Sequence, residues 1–313
     1  MITTASQRTL IILNPHAAGG RAGKMWTELE PQLWKILGDI IVTITHHPDE
    51  VAEHLDKAYA VGVRRVISIG GDGTNHALVN ALVRFNLQFA GDDPMVYGML
   101  PVGTGRDFAR GLGMPFGDIP AAAQWIANAT PLAVDVGEMV SDEKQEYFLN
   151  IASMGMGGEV GVRVNRSKRR YPWTFYLTTL RTMLTYKPRT VRVSLDDQLW
   201  YEGTSYVVAV ANGTTFGHGM KIAPDAQLAD GEFDVVLVKG VSRLTLIRAF
   251  QQVYTGAHLT HPAVKVAKAE RVKIEPVEPM MLELDGESDR TGQVEFKIRP
   301  LALKILQLPV TSS

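Results

Sequence analysis

The first 135 residues alternate short apolar runs with amphipathic segments. Runs that are apolar at nearly every position, such as Thr9–Leu13, Arg65–Ile69 and Val96–Leu100, are typical of strands that are buried on both faces. Segments with apolar residues at helical spacing, such as Met25–Leu37 and Thr74–Phe85, lie between these runs. The alternation predicts a doubly wound α/β domain over residues 1–135, with a mostly parallel sheet. It also predicts a strand at Ile40–Thr45 and helices at Asp49–Val61 and Ile119–Asn128.

After about residue 135 the pattern changes to short strand-like runs that are separated by turn residues. Most of these runs follow one another without a helix between them, which is typical of an antiparallel β-sandwich. We therefore predict a second, β-rich domain over residues 136–299, with one helix near Leu244–Tyr254. The predicted strands of this half are Tyr147–Ile151, Val191–Leu195, Tyr206–Ala211, Phe233–Val238, Val272–Ile274, Met281–Leu284, Val294–Ile298 and Leu301–Leu308.

Composition narrows the functional classes. The 313 residues carry a net charge of −1, so no overall positive field draws the chain to nucleic acid, and we expect no nucleic-acid partner. The absence of cysteine excludes disulfides, thiolate metal sites and a cysteine nucleophile. No apolar run approaches the roughly 18 residues of a membrane span, and the N-terminus lacks a signal-peptide pattern. We expect a cytoplasmic protein that meets a membrane only at its surface.

Three glycine-rich loops follow predicted strands of the first domain. In a doubly wound sheet, ligands bind at the carboxyl ends of the strands, and glycines let backbone N–H groups approach a phosphate. The sequence excludes a Walker A loop, because 18-AGGRAGKM-25 lacks the required first glycine and the Ser or Thr. The GxGxxG fingerprint of dinucleotide-binding proteins is absent after the first strand. The loops therefore predict phosphate binding. They are 14-NPHAAGG-20, 70-GGDGT-74 and 101-PVGTGRDFA-109.

Asp72 places a carboxylate inside one of these loops. A carboxylate repels phosphate unless a cation lies between them, and Mg²⁺ is the usual cation; as the alternative, Asp72 is a turn residue or a helix cap. Two further Asp-Gly pairs occur in 228-LADGEFDVV-236 and 282-LELDGES-288, and each taken singly is a hairpin signal. Glu287 adds a carboxylate beside the second pair. Phosphoryl transfer requires little more than positioning, a metal and a group that orients or deprotonates the nucleophile.

Six motifs, in order along nearly the whole chain, carry a resemblance to the diacylglycerol kinase catalytic-domain family, specifically to its soluble bacterial lipid kinases. GGDGT alone is shared with NAD kinases and phosphofructokinases, whereas the set is specific. Besides ISIGGDGT the motifs are 98-GMLPVGTGRDFARGLGMP-115, 133-AVDVGEM-139, 154-MGMGGEV-160, 219-GMKIAPDAQLADGEFDVVLVK-239 and 283-ELDGES-288.

The resemblance implies an ATP-dependent lipid kinase with an interdomain cleft, a lipid substrate, and ATP and Mg²⁺ as cofactors. It places the general base at Glu287, makes Asp72 a second catalytic residue, and places a Mg²⁺ site at Asp230 with backbone carbonyls of Gln227 and Glu232. It also implies that residues 300–313, including Leu301–Leu308, return to the first domain. The nucleotide site it implies comprises Asn14, Pro15, Gly19, Thr45, Gly70, Gly71, Asp72, Gly73, Thr74, Gly103, Thr104 and Gly105.

Three positions depart from the family pattern. Ala77 stands where the family has Glu, His76 where it has Asn, and Arg106 where GTGNDFAR has Asn. Together the changes at 77 and 106 make the local charge about two units more positive. Arg106 is either a phosphate contact or a solvated loop residue. The departures at Ala77 and Arg106 leave open a nucleotide-binding protein that lacks kinase activity, and the shared GGDGT motif leaves open an NAD kinase-like enzyme.

A basic stretch lies between Val160 and Leu195 and contains no Asp or Glu. Aromatic residues such as Trp173 and Tyr176 are interleaved with its cations. This mixture suits contact with an anionic membrane surface; the alternative is a solvated basic helix whose aromatic residues pack into the core. The sequence is also compatible with a homodimer. The basic residues are Arg163, Arg166, Lys168, Arg169, Arg170, Arg181, Lys187, Arg189 and Arg192.

Overall fold

The computed structural model describes residues 8–91, 93–103, 106–166 and 172–309. These residues divide into two compact units. The first unit lies within Met1–Val134 and Leu301–Ser313, and the second lies within Asp135–Pro300. The α/β fold followed by a β-sandwich-like fold, which the sequence predicts, is confirmed.

The first unit is built around a parallel sheet with the strand order β15-β4-β3-β1-β2, in which β15 contributes its last residues. Helices α1 and α5 pack on each other, as do α2 and α3. The strands are nearly continuous apolar runs because helices cover them, and the side chains of β1 are almost completely buried. The elements are β1 (Thr9–Leu13), α1 (Ala17–Leu37), β2 (Ile40–Ile44), α2 (Glu50–Ala60), β3 (Arg65–Gly70), α3 (Asp72–Phe85), β4 (Val96–Pro101), α4 (Asp107–Gly111) and α5 (Ile119–Ala127).

The second unit is an antiparallel β structure with the strand order β14-β13-β7-β9-β8-β12-β15, to which β10 and β11 add at β9. Strand β5 pairs with β6. The elements are β5 (Thr130–Ser141), β6 (Gln145–Phe148), β7 (Ile151–Gly155), α6 (Met156–Arg166), α7 (Pro172–Thr185), β8 (Arg189–Leu195), β9 (Gln198–Ala211), β10 (Phe233–Lys239), α8 (Arg243–Gln252), β11 (Val264–Ala269), β12 (Arg271–Pro276), β13 (Met280–Leu284), β14 (Glu287–Thr291) and β15 (Val294–Gln307).

Apolar side chains fill both faces of this second sheet. One core cluster contains Phe148, Phe233 and Phe296, with the rings of Phe148 and Phe233 stacked at 5.7 Å. The other cluster packs α6, α7 and α8 against the sheet through residues such as Tyr206 and Met183. Among the helices that the structure describes, none has both the length and the apolar character that a membrane crossing requires.

Two local predictions were wrong in the second half. The predicted strand Tyr147–Ile151 is the junction between β6 and β7, because the N–H groups of 149–151 bond to a side-chain carboxylate. The two predicted strands at the C-terminus form one strand, β15, which continues through Leu301 at φ 51°. Helices α6 and α7 lie in or overlap the basic stretch, for which the sequence analysis offered a helix only as the alternative and without bounds.

Candidate functional site

The three glycine loops leave the same edge of the parallel sheet in the first unit. Leu13, Ile69 and Leu100 are in register at the ends of β1, β3 and β4, so the residues that follow them must be neighbours. The backbone N–H of Asn14 donates to the carbonyl oxygen of Ile69 at 3.0 Å, and that of Gly103 donates to Gly70 at 3.3 Å. The structure therefore brings together the loops that the sequence grouped, over the part of them that it describes.

Asn14 links two of these loops through its side chain. Its Nδ2 donates to Thr74 Oγ1 at 3.0 Å, and its Oδ1 accepts the N–H of His16 at 2.9 Å. Thr45 lies at the end of the neighbouring strand, where its N–H donates to Leu13 at 2.9 Å and its side chain is buried. Four predicted site segments, at 14, 45, 70–74 and 103, thus share one edge of the sheet.

Glycine is required at Gly70 and Gly103 because neighbouring atoms approach the backbone closely there, and not because the backbone has a positive φ. A Cβ on Gly70 would lie 2.4 Å from Thr74 Cβ, and a Cβ on Gly103 would lie 2.9 Å from Gly71 Cα. The strand ends at Gly70 and α3 begins at Asp72, with Gly71 as the N-cap in an extended conformation. The 14-residue helix therefore points its free N–H groups and its positive dipole end at the space beside the loops, an arrangement that favours phosphate.

The other predicted residues of the first unit are placed as follows. Pro15 contacts the helix behind it, because a Cβ on Gly23 would lie 3.1 Å from Pro15 Cβ. Gly19, at φ 69°, lies in the first turn of α1, and Gly73 lies in the first turn of α3. Asp72 is the first residue of that turn, and because Gly71 is the N-cap, the alternative that Asp72 caps the helix is wrong. Thr104 and Gly105 lie outside the described residues.

In the second unit, Glu287 begins β14 directly after a tight hairpin turn, here called the Glu287 hairpin (β13, Asp285–Gly286 and β14). Asp285 and Gly286 have φ of 49° and 96°, the signs of a type I′ turn, and Leu284 pairs with Glu287. Glu287 is exposed, and its carboxylate has no hydrogen-bond or ion-pair partner in the part of the chain that the structure describes. An exposed carboxylate on a fixed turn can accept a proton from an incoming hydroxyl.

Two carboxylates that the sequence analysis did not single out hold this hairpin. Asp285 accepts backbone N–H bonds from Leu149 at 2.7 Å and from Asn150 and Ile151 at 3.0 Å each. Glu283 accepts the N–H of Gly286 at 2.8 Å and the hydroxyl of Ser153 at 2.9 Å. These partners are more than 100 residues away in sequence, except Gly286. Only the order of the motifs along the chain hinted at the contacts.

The 154-MGMGGEV-160 motif packs against the same hairpin. A Cβ on Gly158 would lie 2.9 Å from the backbone of Met281, and a Cβ on Gly161 would lie 2.6 Å from Ser288 Oγ. These two glycines therefore let α6 lie directly on the strands that flank the turn. The position of Glu287 is thus fixed by a helix on one side and by carboxylate bonds on the other.

The predicted magnesium ligand Asp230 has a cation partner within the chain. Its Oδ2 lies 2.5 Å from the Nζ of Lys268, which is also 3.7 Å from Asp234 and 3.9 Å from Glu232. The bond to Asp230 is the main cause that raises the pKa of Lys268, whereas burial raises the pKa of Asp234. Gln227 directly precedes the turn at 228–230. Among the described residues, no group of three or more His, Asp or Glu side chains is placed to hold a metal ion.

A buried carboxylate of the 133-AVDVGEM-139 motif supports this turn. Asp135 Oδ2 accepts the N–H of Gly231 at 2.7 Å, and the N–H of Asp135 donates to Leu228 at 2.6 Å. Asn212 donates to the carbonyl oxygen of Asp135 at 2.9 Å. Two motifs almost 100 residues apart therefore form one structural unit around the turn at Asp230.

The basic stretch is partly neutralised where it is described. Arg163 pairs with Glu159 at 2.9 Å, Arg192 pairs with Glu202 at 3.0 Å, and Arg189 pairs with Glu278. Phe175 stacks on His218 with ring centroids 4.5 Å apart and joins a core cluster, as the alternative interpretation proposed. On the same helix, α7, large apolar side chains stay exposed; these are Tyr176 at 43%, Leu177 at 50% and Leu184 at 47%. Lys168, Arg169 and Arg170 lie outside the described residues.

Comparison with known proteins shows which families the two halves of the chain match. Residues 8–139 match the diacylglycerol kinase catalytic domain, and residues 150–307 match the YegS C-terminal NAD kinase beta sandwich-like domain. A diacylglycerol kinase of Bacillus subtilis is 32% identical over 224 residues, which cover 71% of this chain and 70% of that protein. A "Probable lipid kinase YegS-like" protein of Pseudomonas aeruginosa is 25% identical over 307 residues, which cover 97% and 95%.

A solved structure of a diacylglycerol kinase from Bacillus anthracis has the same fold, with a TM-score of 0.71 at 23% identity and 97% coverage of each chain. The glycine loops on a kinase-type α/β domain, joined to the matching sandwich domain, define a lipid kinase. The chain belongs to the diacylglycerol kinase family, which confirms the resemblance and the prediction of an enzyme.

Proposed function

We propose that this lipid kinase transfers the γ-phosphate of ATP to the hydroxyl of diacylglycerol or a related lipid. The observation that carries the proposal is the meeting of Asn14, the 70–74 loop and Gly103 at the N-terminus of α3, which is suited to phosphate. The lipid class is supported by the diacylglycerol kinases among the relatives.

In the proposed reaction, the backbone N–H groups at the start of α3 bind the nucleotide phosphates. The lipid hydroxyl oxygen forms a bond to the γ-phosphorus while the bond from that phosphorus to the bridging oxygen breaks. ADP leaves with the electron pair of the broken bond, and the hydroxyl proton passes to the carboxylate of Glu287. The protein contributes mainly by positioning these groups.

Mg²⁺ is the second proposed cofactor, and it would supply positive charge to the phosphates when bound. Asp72 is the carboxylate of the first unit that we assign beside this ion. The turn at Asp230, with the backbone carbonyls of Gln227 and Glu232, offers the oxygen ligands that Mg²⁺ prefers. Because Lys268 already pairs with Asp230, an ion can bind there only if the ammonium group moves away.

A lipid kinase must reach its substrate at a membrane surface, and we propose that the protein is cytoplasmic and binds that surface peripherally. The exposed side chains of Tyr176, Leu177 and Leu184 on α7 support this proposal, since such residues insert into the headgroup region. Binding to vesicles with anionic lipid should weaken in high salt and with Leu177→Asp. Binding that is insensitive to both changes would contradict the proposal.

The test of the proposed function is transfer of label from γ-labelled ATP in the presence of Mg²⁺. The acceptors are diacylglycerol, phosphatidylglycerol, sphingosine and NAD, each offered separately. We expect label in a lipid. Label in NAD would favour an NAD kinase, and ATP binding without transfer to any acceptor would favour a nucleotide-binding protein without kinase activity.

A further inference from the structure

Arg106, the departure from the family pattern in the third glycine loop, has an unusual backbone conformation. Its φ and ψ are 57° and 23°, in the left-handed region, where a residue other than glycine costs about 1 kcal/mol. Its Nε donates to the carbonyl oxygen of Gly103 at 2.5 Å, which ties the side chain back onto the glycine loop. Strained residues of this kind concentrate at ligand sites.

The guanidinium group of Arg106 lies among other cations. Arg106 and Arg110 both face the ring of Phe116, with Cζ atoms 5.9 Å and 5.2 Å from its centroid. Burial is the main cause that lowers the pKa of Arg106, followed by repulsion from Arg21 and Arg110, while Asp72 acts in the opposite direction. Residues from all three loop regions therefore act on one guanidinium group.

The negative charge near Arg106 is insufficient to balance these cations. Arg110 pairs with Asp107 at 2.8 Å, which uses that carboxylate. Within the described residues, neither Arg106 nor Arg21 has a carboxylate within ion-pair distance. Among the described residues, these two guanidinium groups thus have no ion-pair partner, although Asp72 lies near enough to act on Arg106.

We infer that Arg106 binds a phosphate group of a substrate through its guanidinium fork. The planar guanidinium fork can donate hydrogen bonds to two phosphate oxygens at once, and the shorter asparagine side chain cannot. The phosphate belongs either to the nucleotide or to a lipid headgroup, which present the same chemistry. The inference rests on the proposed function for its substrates, but phosphate binding can be measured without any transfer.

The experiment compares wild type, Arg106→Asn, Arg106→Lys and Arg8→Gln by calorimetric titration without Mg²⁺. Asparagine tolerates the left-handed conformation, so Arg106→Asn should fold at least as well as wild type. Arg8→Gln is the matched control, because it removes the same charge at the opposite end of β1, where Arg8 pairs with Asp39. The ligands are tripolyphosphate, ATP, ADP, adenosine and a short-chain phosphatidic acid.

We expect Arg106→Asn to weaken tripolyphosphate binding by about ten- to a hundred-fold, the range of a charge-assisted hydrogen bond. Arg106→Lys should be intermediate, while adenosine binding and the Arg8→Gln variant should be unchanged. An equal loss for ATP and ADP would identify the nucleotide as the source of the phosphate. A loss for phosphatidic acid with unchanged nucleotide binding would identify the lipid headgroup.

Two outcomes would overturn the inference. The first is that Arg106→Asn binds every phosphate ligand as tightly as wild type does. This outcome includes the case in which wild type binds no phosphate ligand. The second is an equal loss of adenosine and phosphate binding together with a lower melting temperature, because a purely structural role would produce it. Failure of the proposed function can be told apart from failure of this inference. If only the proposed function is wrong, phosphate binding will still depend on Arg106, but no phosphate will be transferred to lipid.

Discussion

The glycine-loop site of the first unit and the Glu287 hairpin of the second are fixed in place by different means. The first depends on missing side chains, since Gly70 leaves room for Thr74 of its own loop and Gly103 lets its loop approach Gly71 within contact distance. The second depends on side chains that are present, because Asp285 and Glu283 satisfy backbone N–H groups around the turn. The first site should therefore fail by steric conflict and the second by loss of hydrogen bonds.

The largest expected effect separates chemistry from binding. Glu287→Gln removes the proposed base, so the transfer rate should fall by about 10²- to 10⁴-fold, whereas ATP affinity stays unchanged because the phosphate groups bind elsewhere. Steady-state transfer and ATP titration measure the two quantities. Glu143→Gln, an exposed glutamate of the same unit, serves as the control. Full activity of Glu287→Gln would disprove the role assigned to this carboxylate.

The next largest effect tests how the hairpin is held. Asp285→Asn replaces a carboxylate that accepts three N–H bonds, and we expect the free energy of unfolding to fall by about 2–3 kcal/mol. Denaturant titration measures this change. Asp197→Asn is the matched control, because Asp197 also lies in a hairpin turn with positive φ but is exposed and, among the described residues, pairs only with Arg271. Equal effects of the two variants would show that Asp285 does not anchor the hairpin.

On the glycine side, Gly70→Ala should act through crowding. Its Cβ would meet Thr74 at 2.4 Å, and overpacking of this kind costs about 1–3 kcal/mol. We expect weaker ATP binding and a lower melting temperature. Gly292→Ala provides the comparison, since a Cβ there meets nothing within 4 Å and φ is not positive. Unchanged ATP affinity in Gly70→Ala would separate the loop from nucleotide binding.

The smallest effect concerns the acidic turn of the second unit. Lys268→Met removes the cation that balances Asp230, Glu232 and Asp234, so a divalent ion should replace it. Mg²⁺ should then raise the melting temperature of the variant more than that of wild type. Lys265→Met, on the same strand but near Trp200, should not gain this dependence. If Mg²⁺ raises the melting temperature of Lys268→Met and of wild type equally, Lys268 does not compete with the ion.

The sequence predicted the elements whose signal is local. Strands such as Thr9–Leu13 and the Asp-Gly turn before Glu287 were found because hydrophobic pattern and turn chemistry act over a few residues. The junction at 149–151 was missed because its N–H groups bond to Asp285, more than 130 residues away. No periodicity reports such a contact.

The start of α1 shows a second limit. Helical spacing begins only at Met25, yet the helix begins at Ala17, because its first turns contain glycine and alanine with no apolar pattern. For the same reason α3 begins two residues earlier than predicted, at Asp72. In these loops, glycine allows neighbouring backbone segments to approach each other and adds nothing to the hydrophobic pattern. Helix boundaries predicted from that pattern are therefore least accurate at the candidate site.

The last residues of β15 have a consequence for how the protein is made. Lys304 and Ile305 pair with Val96 and Tyr97, so the chain's C-terminal end completes the first unit's sheet. During synthesis at about 5–20 residues per second, β4 leaves the ribosome about 10–40 s before its partner strand exists. Throughout that interval the nascent glycine-loop domain exposes an unpaired, apolar strand edge. The sheet of the first unit is therefore complete only after residues 304 and 305 have been synthesised.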